Sequence, residues 1–189
     1  MLLPEIIMVH PMKGNSMTTI EPLPFVSEPP SVKATISAGL IGGLVGGVTI
    51  WIYEALVWVG AQHLMPLYGI PPNATGLVFG KHFQQAIGDW AYLLGTSIHF
   101  GFALAWGVAF AWMWPHLRRR GFEATFVALF YAAIAWIVMH VAISIASNDH
   151  PNYHDPAVII GGIMSHIFLA VPMALVIKRM MNPRAALPI

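Results

Sequence analysis

Residues 123–146 read EATFVALFYAAIAWIVMHVAISIA, and this stretch decides the class of the protein. It is almost wholly apolar over a length that reaches the roughly 20 residues needed to cross about 30 Å of hydrocarbon. Three other stretches do the same, at about 35–60, 89–114 and 157–177, the last with Pro172 inside it. The sequence therefore predicts an all-α integral membrane four-helix bundle, with a kink at Pro172.

The composition agrees with this class. Charged residues make up 9% of the 189 residues and hydrophobic residues 57%, whereas ordinary soluble domains contain about 25% charged residues. The formal net charge of +1, without a basic run, predicts no nucleic-acid partner. The chain has no cysteine, which excludes disulfides and thiolate metal sites. The expected surroundings are a lipid bilayer.

The distribution of Lys and Arg predicts the orientation. Basic residues lie before the first span, between the second and third, and after the fourth: Lys13, Lys33, Arg118, Arg119, Arg120, Lys178, Arg179 and Arg184, while Lys81 falls on the other side. By the positive-inside rule both termini face the cytoplasm, and the segments 61–88 and 147–156 face outward. We predict an extended tail over residues 1–33, the four-span domain over 34–181 and a short C-terminal tail over 182–189.

Small residues repeat along the first span. Gly39, Gly43 and Gly47 follow one another at four-residue spacing, and Gly42 and Gly46 repeat beside them. Glycines at this spacing let a neighbouring backbone approach closely. The neighbour is either another helix of the same bundle, or a second copy of the chain or another subunit.

Each span contains an ionisable residue in its interior: Glu54, His99, His140 and His166. Counted from the nearest outward polar residue, each lies about 13–17 Å deep at a rise of 1.5 Å per residue. Successive spans run in opposite directions, so equal depths do not follow from equal positions along the spans. We therefore predict that the four residues form one layer, called the polar layer below. Ionisable groups are costly in lipid, so the polar layer is expected to face the bundle interior.

Three chemistries fit the polar layer, beside a purely structural role. Three imidazoles and the Glu54 carboxylate suit a transition metal such as zinc, copper or iron. Two of the histidines could instead ligate a b-type haem, with Gly95 or Gly162 leaving room for the porphyrin. The layer could also relay or sense protons, because histidine titrates near neutrality. In the structural interpretation, each histidine donates to a helix carbonyl.

The outward segments contain further polar residues: His63, His82, His150, His154, Asp89, Asp149 and Asp155. They could capture a metal ion or gain positive charge as the outside acidifies. In the simpler interpretation, Asp155 caps a helix that starts at Pro156. The sequence contains no nucleophile elbow, zinc-protease motif or phosphate loop, so we predict no catalytic residue.

Four stretches indicate a family: GLIGGLVGGV, SIHFGFALAWGVAF around His99, IVMHVAIS around His140 and GGIMSHIF around His166. From about Gly39 to Arg179 the chain resembles the YagU-like inner-membrane proteins, a bacterial family with four predicted spans. The resemblance implies a histidine in spans two, three and four, which His99, His140 and His166 supply here. It also implies a multi-pass location in the bacterial inner membrane and a role in acid tolerance.

Three functions are therefore expected as alternatives. The first is a non-enzymatic inner-membrane protein that serves acid or envelope homeostasis through the polar layer. The second is an accessory subunit of a larger membrane redox or respiratory complex, docked through the glycines of the first span. The third is a haem- or metal-binding membrane protein with electron-transfer or enzyme activity. A homo-oligomer or a membrane complex is the expected assembly.

Overall fold

The computed structural model describes residues 30–147 and 154–182, and this part of the chain is helical without strands. Its elements are α1 (Val32–Tyr53), a π-helical segment that continues α1 (Glu54–Ala61), a 3-10 turn (Leu67–Gly69), α2 (Ile70–Phe79), α3 (Lys81–Ala86), α4 (Trp90–Arg119), α5 (Ala124–Ala146) and α6 (Pro156–Met181). Four helices are long and apolar enough to cross a membrane: α1 with its π-helical segment, α4, α5 and α6. The predicted all-α four-helix bundle is confirmed.

Side-chain caps fix where α1 and α6 begin. The Ser31 hydroxyl accepts a hydrogen bond from the first turn of α1, so Val32 and Lys33 belong to that helix and not to the predicted tail. Asp155 accepts one from the first turn of α6, as predicted for a cap before Pro156. The remainder of the tail, over 1–29, lies outside the described residues, as do 148–153 and 183–189.

Two spans extend further than the hydropathy predicted. The α4 helix continues through Pro115 to Arg119, and α6 continues through Pro172 to Met181. Neither proline ends its helix, and proline is tolerated in membrane-spanning helices where neighbouring groups re-satisfy the freed backbone.

The glycines of α1 place this helix between α4 and α6, while α5 packs on α6. A methyl group added at Gly43 would lie 2.5 Å from the carbonyl oxygen of Ala103 in α4. One added at Gly42 would lie 2.6 Å from Cγ1 of Ile177 in α6. Both glycine rows therefore pack inside the bundle, as one of the two interpretations predicted. They are not available to dock a second copy or another subunit.

One end of the bundle is densely packed and polar at its surface. Here Phe110, Trp114, Met173 and Ile177 are buried among small alanines. Beyond this core lie the basic residues at the C-terminal ends of α4 and α6: Arg118, Arg119, Arg120, Lys178 and Arg179. Glu123 pairs with Lys178 at 2.9 Å, and Arg118 donates to Asn182. These residues define the basic end of the bundle.

The outer surface of the spans is apolar. Large aliphatic and aromatic side chains are exposed on every span, and Ile145 is 82% exposed. A soluble protein rarely leaves such contiguous apolar area in water. The exposed faces therefore suit a lipid bilayer, in agreement with the multi-pass prediction.

Candidate functional site

Away from the basic end, the four spans and α2 surround a cavity of about 180 Å³. All four residues of the polar layer line it: Glu54, His99, His140 and His166. The four residues, which were predicted to lie at one depth, therefore line one cavity. Most other lining residues are apolar, among them Ile50, Ile98, Met139, Ile143 and Leu169.

The α2 helix forms a wall of this cavity through Ile70, Asn73 and Leu77. It is held on α4 by a buried hydrogen bond of 2.9 Å, which the Thr75 hydroxyl donates to the Ala91 carbonyl oxygen. Gly95 of α4 gives the backbone of α2 room to approach. The segment 61–88, predicted only to face outward, therefore contributes to the site.

His99 is oriented by α1 and by aromatic neighbours. Its Nε2 lies 2.9 Å from the Gly47 carbonyl oxygen. A carbonyl oxygen only accepts, so Nε2 has the hydrogen and donates it. The His99 ring centroid lies 5.1 Å from those of Trp51 and Phe100. This ring is thus fixed between α1 and its own helix.

His140 and His166 face each other from α5 and α6, with ring centroids 6.1 Å apart. The Nδ1 of each ring donates to the carbonyl oxygen one turn earlier, at 2.6 Å on Trp136 and 2.8 Å on Gly162. The Ser165 hydroxyl also donates to Gly162, at 2.7 Å. All three histidines therefore donate one N–H to a helix carbonyl, as the structural interpretation predicted.

Glu54 differs from the histidines in having no polar partner. Glu54 is only 9% exposed, and no described residue forms a hydrogen bond or an ion pair with its carboxyl group. The backbone changes from α-helical to π-helical at Glu54, a local widening that often occurs at functional sites. Trp58, four residues further, also lines the cavity.

The polar layer does not form a metal site in the described part of the chain. No group of three or more His, Asp or Glu residues there lies close enough to hold a metal ion. The predicted four-ligand site of His99, His140, His166 and Glu54 stays a prediction that this geometry does not support. The outward loop residues His150 and Asp149 lie outside the described residues.

A b-type haem does not fit the residues present. The space beside Gly95 is filled by Pro71, and a methyl group at Gly162 would lie 2.5 Å from Nε1 of Trp136. Neither glycine leaves room for a porphyrin, contrary to the sequence interpretation. The cavity of about 180 Å³ is close to the roughly 150 Å³ of an engineered cavity that holds one benzene ring.

Several candidate residues lie away from the cavity. His63, His82, His154 and Asp89 are exposed in the outward segments. Ser165, in contrast, is buried and lines the cavity.

Trp58, Trp106 and Asn73 are among the lining residues that sequence reasoning missed. Trp58 follows Glu54 by four residues and Trp106 follows His99 by seven, spacings that put each pair on one helix face. These spacings could have identified both tryptophans. Asn73 gave no such signal.

Searches of protein families, curated proteins and solved structures give no match for the chain. The resemblance to YagU-like proteins therefore depends on the quoted motifs alone. The function has to be argued from the cavity.

Proposed function

We propose that the chain is a multi-pass protein of the bacterial inner membrane whose polar layer binds protons from the outer side of the membrane. It would serve acid or envelope homeostasis without being an enzyme. The observation that supports this most directly is that each of four spans contributes one ionisable side chain to the same cavity.

The chemistry of the lining favours proton binding. Imidazoles exchange protons near neutrality, and the three histidines supply three such groups within one cavity. None of the described residues that line it is Lys, Arg or Asp. A proton entering the cavity therefore meets bases and the Glu54 carboxyl group, without a fixed positive charge that would repel it.

The packing of the bundle favours entry from one side. The buried core of Phe110, Trp114, Met173 and Ile177 lies between the cavity and the basic end. By the positive-inside rule the basic end faces the cytoplasm, so the cavity belongs to the outer half. A closed core behind it favours a site that binds protons over a path that conducts them.

The two other expected functions have weaker support. The accessory-subunit hypothesis depended on glycines that pack inside the bundle. The haem hypothesis depended on space that Pro71 and Trp136 fill. The resemblance to YagU-like proteins favours a role in acid tolerance.

The test is proton binding by the protein reconstituted into vesicles. Infrared difference spectra would follow the carboxyl and imidazole groups while the outer pH is lowered from about 8 to about 4, a range that extends well below the ordinary pKa of histidine. We expect a carboxyl signal that Glu54→Gln removes and an imidazole signal that His166→Asn reduces. The control Glu123→Gln changes a carboxylate at the basic end and is expected to leave both signals intact.

Sidedness provides the second half of this test. In vesicles where the cavity side faces outward, the outer pH is expected to change the spectra, and the inner pH is expected to have no effect. Spectra that do not change over this pH range, or that respond equally to the inner pH, would contradict the proposal.

A further inference from the structure

The size of the cavity limits what it can hold. Its volume of about 180 Å³ is near that of a cavity that accommodates benzene. Most of the lining is aliphatic or aromatic, which favours a ligand with an apolar body. A compact molecule of about one aromatic ring fits these dimensions.

The histidine tautomers determine which polar groups face such a ligand. Because Nε2 of His99 and Nδ1 of His166 donate to carbonyl oxygens, the second nitrogen of each neutral ring has a lone pair. The Ser165 hydroxyl is likewise committed to a carbonyl oxygen. The His99 and His166 rings therefore offer acceptors to a ligand, and the lining also contains neutral donors, the indole groups of Trp58 and Trp106 and the amide of Asn73.

Glu54 adds the strongest acceptor. Its carboxyl group is nine-tenths buried and has no partner among the described residues. Burying a carboxylate without a partner is costly, so the group is either protonated or matched by a cation from outside the chain. Lys and Arg are missing from the described lining, so the chain itself supplies no such cation there.

Aromatic residues complete the lining. Trp58, Phe102 and Trp106 all border the cavity. Their ring faces attract organic cations, and tryptophan does so most strongly. A buried carboxylate beside aromatic rings is a combination that recognises an ammonium group attached to an apolar body.

We propose that the cavity binds a small organic cation, a protonated primary or secondary amine with an apolar body of about one aromatic ring. This inference rests on the proposed function, because the amine would enter from the same side as the protons. The ammonium group binds the Glu54 carboxylate and donates to imidazole lone pairs. The amine therefore competes with a proton for Glu54, which shares the cavity with His99 of α4, His140 of α5 and His166 of α6.

Three probes of equal size separate charge from shape: benzylamine as the cation, benzyl alcohol as the neutral donor and benzoate as the anion. Binding would be measured by tryptophan fluorescence of the solubilised full chain, with protein-free micelles plus free tryptophan as the background. We expect saturable benzylamine binding, at least about 10-fold tighter than that of benzyl alcohol, from the strength of charge-assisted hydrogen bonds. Benzoate is expected not to bind.

Glu54→Gln is expected to abolish the preference for benzylamine over benzyl alcohol, and the control Glu123→Gln to preserve it. The wild-type chain supplies an independent measurement, since benzylamine affinity is expected to rise with pH as the carboxyl group loses its proton. Equal affinity for the two probes, no saturable benzylamine binding, or an affinity independent of pH would each overturn the proposal. If the infrared response to outer pH persists while benzylamine does not bind, this inference fails and the proposed function stands. If benzylamine binds through Glu54 with the expected pH dependence, but the infrared spectra respond equally to the inner pH, the proposed function fails instead.

Discussion

The attachment of α2 to α4 can be tested at one glycine. A methyl group at Gly95 would overlap the Pro71 carbonyl oxygen and lie 3.0 Å from the Thr75 hydroxyl oxygen. Gly95→Ala therefore forces α2 away from α4 and breaks the buried hydrogen bond from Thr75 to Ala91. Loss of a buried hydrogen bond costs about 1–3 kcal/mol. Since about 1.4 kcal/mol corresponds to a factor of 10, the population with α2 detached is expected to rise about 5–150-fold.

The assay uses the absence of cysteine from the chain. Ala74→Cys introduces one thiol on α2 at a residue that lines the cavity. Its rate of reaction with a charged, membrane-impermeant thiol reagent reports how often α2 opens. The rate is expected to rise about 5–150-fold when Gly95→Ala is added.

Gly101→Ala is the matched control. Gly101 lies in the same helix, and a methyl group there would meet no atom within 4 Å. Both substitutions make the same change in helix propensity, so the steric effect on α2 is what distinguishes them. Equal labelling rates in the two variants would refute the argument that Gly95 and Thr75 hold α2 in place.

Three further outcomes are expected. Gly43→Val should overpack the contact between α1 and α4, at a cost of about 1–3 kcal/mol, and should therefore lower the unfolding temperature. Gly101→Val should lower it much less, and equal decreases in the two variants would contradict the packing role of Gly43. The pKa of Glu123 is lowered from 4.5 to about 2, mainly by the hydrogen bond from Lys178 and also by hydrogen bonds from backbone N–H groups. The ionised Glu123 carboxylate therefore stabilises the folded state fully above pH 4.5, and this contribution is lost as the pH falls from 4.5 towards 2. Glu123→Gln should flatten the thermal stability over that window, and an unchanged slope would argue against this pair. His140→Leu should insert and fold normally, since the Trp136 bond lies within α5, but should reduce the imidazole infrared signal; an unchanged signal would remove His140 from the site.

The spans and the depth of the polar layer could be predicted because they follow from length and counting. Hydrocarbon thickness fixes the number of apolar residues, and the helical rise converts spacing into depth. Neither step depends on how the helices pack. Glu54 and His99 could therefore be placed at one level before any contact was known.

The cavity wall could not be predicted in the same way. The α2 helix is short, begins next to Pro71 and Pro72, and depends on the close approach at Gly95 for its position. Such a contact is a tertiary feature that leaves no periodic pattern in the sequence. The same limit explains why Gly162 was predicted to leave room for a haem. A glycine indicates that something approaches the helix closely, but the sequence does not identify which neighbour does so. Here it is Trp136.

The histidine that interrupts the third apolar stretch can now be explained by the two faces of α5. Ile137, Val141 and Ile145 are about half exposed or more, so they face lipid. His140 and Ile143 line the cavity instead. An imidazole on the lipid face would retain the bond within its own helix but would leave its second nitrogen in hydrocarbon, at considerable cost. On the cavity face it satisfies one N–H within its own helix and lies opposite His166. The interruption in hydropathy therefore marks the face of α5 that the bilayer does not cover.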